Sequence, residues 1–149
     1  EIAGILREWT VARSEVKENL AKCNRTLTRF TTEQMSGIFP DLPGAPSSWG
    51  TDNHYFYEIV NRTGDKVYIQ LALSAQNATE DFMELCDRVS ALSFVRPRRD
   101  GWKWWTAFHT ESVSIGKSVD KEKIFEKLDQ CMKQVRAFEE ELKQALGEA

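Results

Sequence analysis

Lys66-Val67-Tyr68-Ile69-Gln70-Leu71-Ala72-Leu73-Ser74 decides the fold, because its apolar residues recur at every second position. Val67, Ile69, Leu71 and Leu73 make one face, and Lys66, Tyr68, Gln70 and Ala72 the other. That pattern predicts a strand covered on one side and partly open on the other. The run His54 to Val60 before it is aromatic and β-branched, and Asn61-Arg62-Thr63-Gly64-Asp65 between the two is rich in turn formers, so a β-hairpin is expected. In the first strand Tyr55, Tyr57 and Ile59 oppose Phe56, Glu58 and Val60, and either set could face the core.

Downstream, Asn77-Ala78-Thr79-Glu80 has capping-box chemistry, with Asn77 at the N-cap, and Phe82, Leu85, Cys86, Val89 and Leu92 follow on one helical face. Arg96-Pro97-Arg98-Arg99-Asp100-Gly101 breaks that helix, since proline disfavours helix at the residue before it and Asp-Gly favours a turn. Trp102 to Ile115 reads as a third strand with a short fourth at Val113 to Ile115. Strict alternation puts Trp102, Trp104, Thr106 and Phe108 on one face and Lys103, Trp105, Ala107 and His109 on the other. Ile124, Leu128, Cys131, Val135, Phe138, Leu142 and Leu146 then form a heptad seam, with Val119, Asp120 and Ile124 as a hydrophobic staple and Gly147 as the C-terminal left-handed residue.

Upstream, Ile2, Ile5, Trp9, Val16, Leu20, Cys23, Leu27 and Phe30 predict one long amphipathic helix over 1–32. Residues 35–50 hold three of the four prolines and three of the eight glycines and predict a loop, tacked to the core by Ile38, Phe39, Leu42 and Trp49. The expected class is α+β in the order α-β-β-α-β-α. A small, mainly antiparallel sheet packs with long terminal helices, and a 52–147 ββαβα unit completes a single domain. Because the chain opens in helical step at Glu1, a piece of a longer protein is expected.

Composition narrows the function. The 149 residues are 41% hydrophobic, with 20 basic and 23 acidic side chains and a net charge of −3. That suits one cored domain and excludes a disordered polyelectrolyte or a uniformly basic nucleic-acid binder. No apolar run reaches the roughly 18 residues that span a bilayer, so no membrane partner is expected. Cys23, Cys86 and Cys131 fall in apolar patterns and read as core thiols in a reducing, cytoplasmic setting. Neither His54 nor His109 has zinc-type neighbours, and no metal or other cofactor is expected. Sequons at Asn24, Asn61 and Asn77 have local explanations in a turn and a helix cap for two of the three.

Catalytic motifs are incomplete. Gly116-Lys117-Ser118 has a P-loop setting, but Glu111 stands where its first glycine belongs. Glu15-Val16-Lys17 and Glu141-Leu142-Lys143 match the (D/E)-x-K of metal-dependent nucleases, yet both read as helical, and the strands carry no lysine two places after an acid. No G-x-S-x-G occurs. A catalytic role for this segment is therefore not expected. Arg96 to Trp105 remains as candidate chemistry. Cations for phosphate and flat rings for bases nominate Arg96, Arg98, Arg99, Lys103 and Trp105 as nucleic-acid-binding residues. Alternating tryptophans equally suit core-facing strand positions, but one face of the strand must then leave a tryptophan to be covered from elsewhere.

Tyr55-Phe56-Tyr57-Glu58-Ile59-Val60-Asn61, Lys66 to Ser74, and Trp102-Lys103-Trp104-Trp105 followed by the charged helix from Asp120 resemble the C-terminal parts of bacterial PD-(D/E)XK nuclease-like proteins, some of them associated with defence against foreign DNA. The resemblance spans residues 52–146. It implies a nuclease core upstream and, because the metal-binding carboxylates and lysine are missing, a non-catalytic accessory domain contributing to DNA recognition or assembly. DNA and an upstream nuclease domain are the partners so implied, and the heptad-like helices add a second copy of the chain as an expected partner. The alternative is a protein–protein or self-association domain using the terminal helices.

Overall fold

In the computed structural model, which describes residues 2–13, 16–18, 23–24, 26–116 and 120–147, the hairpin lies at the middle of an antiparallel meander. β1 (Val16–Glu18), β2 (Leu27–Thr32), β3 (Tyr55–Val60), β4 (Lys66–Ser74) and β5 (Trp104–His109) pair in chain order, and β6 (Val113–Ser114) continues past β5 along the same side of β4. Four helices complete the described part: α1 (Ile2–Ala12), α2 (Glu33–Ile38), α3 (Glu80–Ser90) and α4 (Lys121–Gly147). The class is α+β.

Register resolves the ambiguity of the first hairpin strand. Tyr55 pairs with Leu73, Tyr57 with Leu71 and Ile59 with Ile69, so these six share the inner face, and all are fully buried. Trp9 of α1 meets Phe30 edge-on at 5.8 Å, Phe30 stacks on Tyr57 at 5.3 Å, and Phe108 of β5 stacks on Phe138 of α4 at 4.1 Å. The α4 seam of Ile124, Leu128, Cys131, Val135, Phe138 and Leu142 is buried within the chain's own core. Asp129, on the same helix, receives Trp9 Nε1 at 3.0 Å and both Arg13 Nε and Nη2, which ties α1 to α4. Those Arg13 hydrogen bonds, above all, hold the Asp129 carboxyl below its ordinary range.

The single long N-terminal helix is not formed. It ends at Ala12, and Val16–Glu18 and Leu27–Thr32 are strands. Leu27 and Phe30 are three apart by coincidence with the helical pitch. The pattern that governs Leu27-Thr28-Arg29-Phe30-Thr31-Thr32 has period two, with Thr28, Phe30 and Thr32 buried and β-branched threonines favouring extended backbone. Leu20 lies outside the described residues. Val16 and Lys17 of the Glu15-Val16-Lys17 match therefore sit on a strand rather than a helix, while Glu15 lies outside the described residues. The strand beside it, β2, carries no acid.

Boundaries shift elsewhere for local reasons. Thr32 caps α2 by accepting from Met35 N, so the expected loop begins with a helical turn, and Phe39 is the tack that is fully buried. The cap of α3 is Thr79, which accepts from Phe82 N at 3.2 Å, and not Asn77. Asn77 takes a positive φ of 57° and donates to the Pro46 carbonyl. Asp120 caps α4 as expected, accepting from Lys123 N. Val119 and the Lys117-Ser118 pair lie outside the described residues, and Gly147 is the last helical residue rather than the residue after it.

One buried polar knot locks α4 to the sheet. Glu139, 3% exposed, accepts from the hydroxyls of Thr32 and Tyr57, the latter at 2.7 Å, and Thr32 also receives Met35 N. Burial, reinforced by the Glu139 charge, pushes the Tyr57 phenol well above its ordinary value. Hydrogen bonds of this kind contribute about 1–3 kcal/mol when a partner is removed from a buried site. Tyr57→Phe and Glu139→Gln should each lower stability in urea unfolding by about that amount, and the double variant by less than the sum. Additive or negligible losses would show that the knot does not couple helix to sheet.

Alkaline stability follows from buried phenols and thiols, Tyr55, Tyr57, Cys86 and Cys131, all raised by burial. Burial, with Asp87 nearby, raises the Cys86 thiol from 9.0 to about 12, and burial raises the Tyr55 phenol from 10.0 to about 12. Above pH 9.0 the unfolded chain sheds protons that the folded chain keeps, so the folded state is progressively disfavoured. The contribution is complete below that pH and is lost as pH rises towards about 12. Urea midpoints should fall across this window, and Cys86→Ala should make the fall shallower; a flat profile would refute the linkage.

Candidate nucleic-acid interface

The candidate segment leaves α3 at Ser90 and returns along the free edge of β5. Arg96 N donates to the Ala107 carbonyl at 3.0 Å, and Trp105 Nε1 donates to the Arg96 carbonyl at 2.7 Å, so the backbone of Arg96 is clamped on both sides. Arg98 turns back to α3. Its N–H reaches Ser90 Oγ, its Nε lies 2.8 Å from Asp87 and its Nη1 3.3 Å from Asp100. These carboxylates, Asp87 first, raise its already high pKa. Gly101 closes the turn at a φ of 69°, open to glycine with little strain, and delivers Lys103 and Trp104 to the start of β5.

The five nominated residues thus separate. The side chains of Arg96, Arg99 and Lys103 are exposed, and none of the three forms an ion pair among the described residues. Arg98 is held by carboxylates. Trp105 is only 5% exposed, opposite Leu73 on the inner face, with its N–H spent on Arg96. Trp104 takes the surface position instead and is 52% exposed.

A register shift in β5 produces this exchange. Trp104 pairs with Ser74 and Thr106 with Ala72, but Phe108 pairs with Leu71 and His109 with Gln70, leaving Ala107 as an extra residue. Within β5 alternation therefore holds from Trp104 to Thr106 and inverts after it, and Trp102, which precedes the strand, lies edge-on to Trp105 at 5.5 Å rather than on the Trp104 face as expected. Trp104, Thr106 and His109 share the outer face, while Trp105 and Phe108 face the helices.

Three cross-strand rows of the outer face reach β5, and a fourth, Leu27, Val60 and Tyr68, lies beyond them. At one end Trp104 stands beside Ser74, with Trp49 edge-on to it at 4.8 Å and Phe56 edge-on to Trp49 at 4.9 Å. Trp49 was expected to tack onto the core, but its loop folds over this face. Ser48 N and Oγ both bond Ser74 Oγ, Gly50 at φ 76° closes the turn back to Ser47, and buried His54 bridges the carbonyls of Ala45 and Ser74. The middle row is Phe56, Ala72 and Thr106. The third is Arg29, Glu58, Gln70 and His109, in which Glu58, 5% exposed, accepts from Arg29 at 2.8 Å and Gln70 at 2.9 Å. Beside it a recess of about 240 Å3 is lined by Tyr68, Gln70, Arg96, His109, Thr110, Glu111 and Ser112.

Such a surface can hold a flat ring and a phosphate. Among the described residues no group of three His, Cys, Asp or Glu side chains is placed to hold a metal ion, and no helix is long and apolar enough to cross a membrane. The residue missed from sequence is Trp104, along with its neighbour Trp49. Only the register of β5 against β4 separates Trp104 from Trp105, and the residue types alone carry no signal for it. No family model, no curated protein and no solved structure matches the chain.

Proposed function

We propose that this chain is a non-catalytic accessory module that contacts nucleic acid through the outer face of its sheet near β5, in keeping with its resemblance to parts of bacterial nuclease-like proteins. The half-exposed Trp104, set against Trp49 and next in sequence to Lys103, is the observation that carries this reading. An indole left in water at that level favours a partner ring, and Lys103, Arg99 and Arg96 supply charge for the phosphates. Arg98 contributes to the shape of the segment, because its guanidinium is occupied by Asp87 and Asp100. Assembly through the α4 seam is the less favoured reading, since those apolar side chains are filled by the chain's own core.

Binding to a labelled oligonucleotide, followed by anisotropy, should weaken steeply with added salt. The Arg96→Ala, Arg99→Ala, Lys103→Ala triple variant should lower affinity about tenfold or more and flatten the salt slope, while Arg98→Ala should act mainly on thermal stability. Undiminished binding by the triple variant would exclude this patch as the contact.

A further inference from the structure

Resting on that reading, we infer that the ligand is single-stranded nucleic acid, with one base stacked on Trp104 and the backbone following β5 towards Arg96 and the His109 recess. Three features of the outer face lead to a single strand rather than a duplex. The first is shape. A duplex is read by an element that projects into a groove, whereas Trp104 lies on a sheet face beside a loop pinned to Ser74. A base paired and stacked inside a duplex offers no free face to such a ring, and an unpaired base does.

The second feature is the spacing of rings. Trp104 and His109 stand at opposite ends of β5, about 15 Å apart at strand rise. Between them lies the partly exposed Thr106, paired with the buried Ala72. At the far end the His109 ring lies 6.1 Å from that of Tyr68, so the track has an aromatic group at each end.

Charge is the third. Lys103 immediately precedes Trp104, Arg99 is exposed in the turn before it, and Arg96 lines the recess at the other end. The Glu58 carboxylate beneath is buried and matched by Arg29, so it adds little repulsion. Glu111 also lines the recess and opposes a phosphate there, which makes it the position where removal of charge should strengthen binding.

The test compares oligo-dT, oligo-rU and a DNA duplex of equal length on the full chain, by anisotropy and by quenching of tryptophan fluorescence. Oligo-dT, oligo-rU or both should bind at least about tenfold tighter than the duplex. Trp104→Ala should lower single-strand affinity about tenfold and remove most of the quench. Trp104→Phe should restore much of the affinity, and Glu111→Gln should tighten binding. Thermal melts of each variant separate a lost contact from a lost fold. Duplex binding equal to or tighter than single-strand binding would overturn this inference while leaving nucleic-acid contact intact. Single-strand binding unaffected by Trp104→Ala would also overturn it, and no binding to any of the three would overturn both readings.

Discussion

Ala107 is one residue more than β4 can match, and the arrangement of both sheet faces follows from it. A regular strand would put Trp104, Thr106 and Phe108 on a common side. With the extra residue, Phe108 turns inward beside Trp105 and stacks on Phe138 of α4, while Trp104 and Thr106 stay outward. A lost ladder bond costs about 0.5–1.5 kcal/mol. The irregular register gives the half-buried Phe108 ring its stacking contact with Phe138, which offsets that loss. The Ala107 carbonyl is not left unpaired, because Arg96 N–H takes it, and the same contact lays the basic segment along the strand.

The helices leave Trp104, Thr106 and His109 at the β5 end of the other face partly or fully exposed, whereas Phe56, Glu58, Val60, Ala72 and Ser74 on that face are buried. α4 spends its whole seam on the inner face and is fastened there by the Thr32–Tyr57–Glu139 knot, with α1 joined to it through Asp129. Among the described residues no helix covers the opposite face. That face instead recruits the 47–50 loop, whose Trp49 shields Phe56 and supports one edge of Trp104. The mixture of a partly shielded indole, small middle residues and exposed cations is what gives the surface its chemical character.

Much of the fold was legible because it rests on local periodicity. The β3–β4 hairpin, the inward set Val67, Ile69, Leu71 and Leu73, the α3 helix and the α4 seam each repeat one pattern over many residues. Misreadings fell where two periods coincide. Leu27 and Phe30 fit a helical step, but Thr28, Phe30 and Thr32 fit a strand, and pairing with β3 decides between them. Of the candidate surface, sequence identified the basic segment and the need for a tryptophan to emerge somewhere near it. It could not tell Arg98 from Arg96, since the difference lies in Asp87 on another element.

What sequence alone determined, then, is the α+β class, the central hairpin and a basic, tryptophan-rich turn leading into a strand. Tertiary structure alone decided that the N-terminal segment divides into a helix and two strands, that Trp104 rather than Trp105 meets solvent, and that Trp49 joins it. Periodicity is a property of neighbouring residues, whereas strand register and side-chain exposure depend on partners distant along the chain.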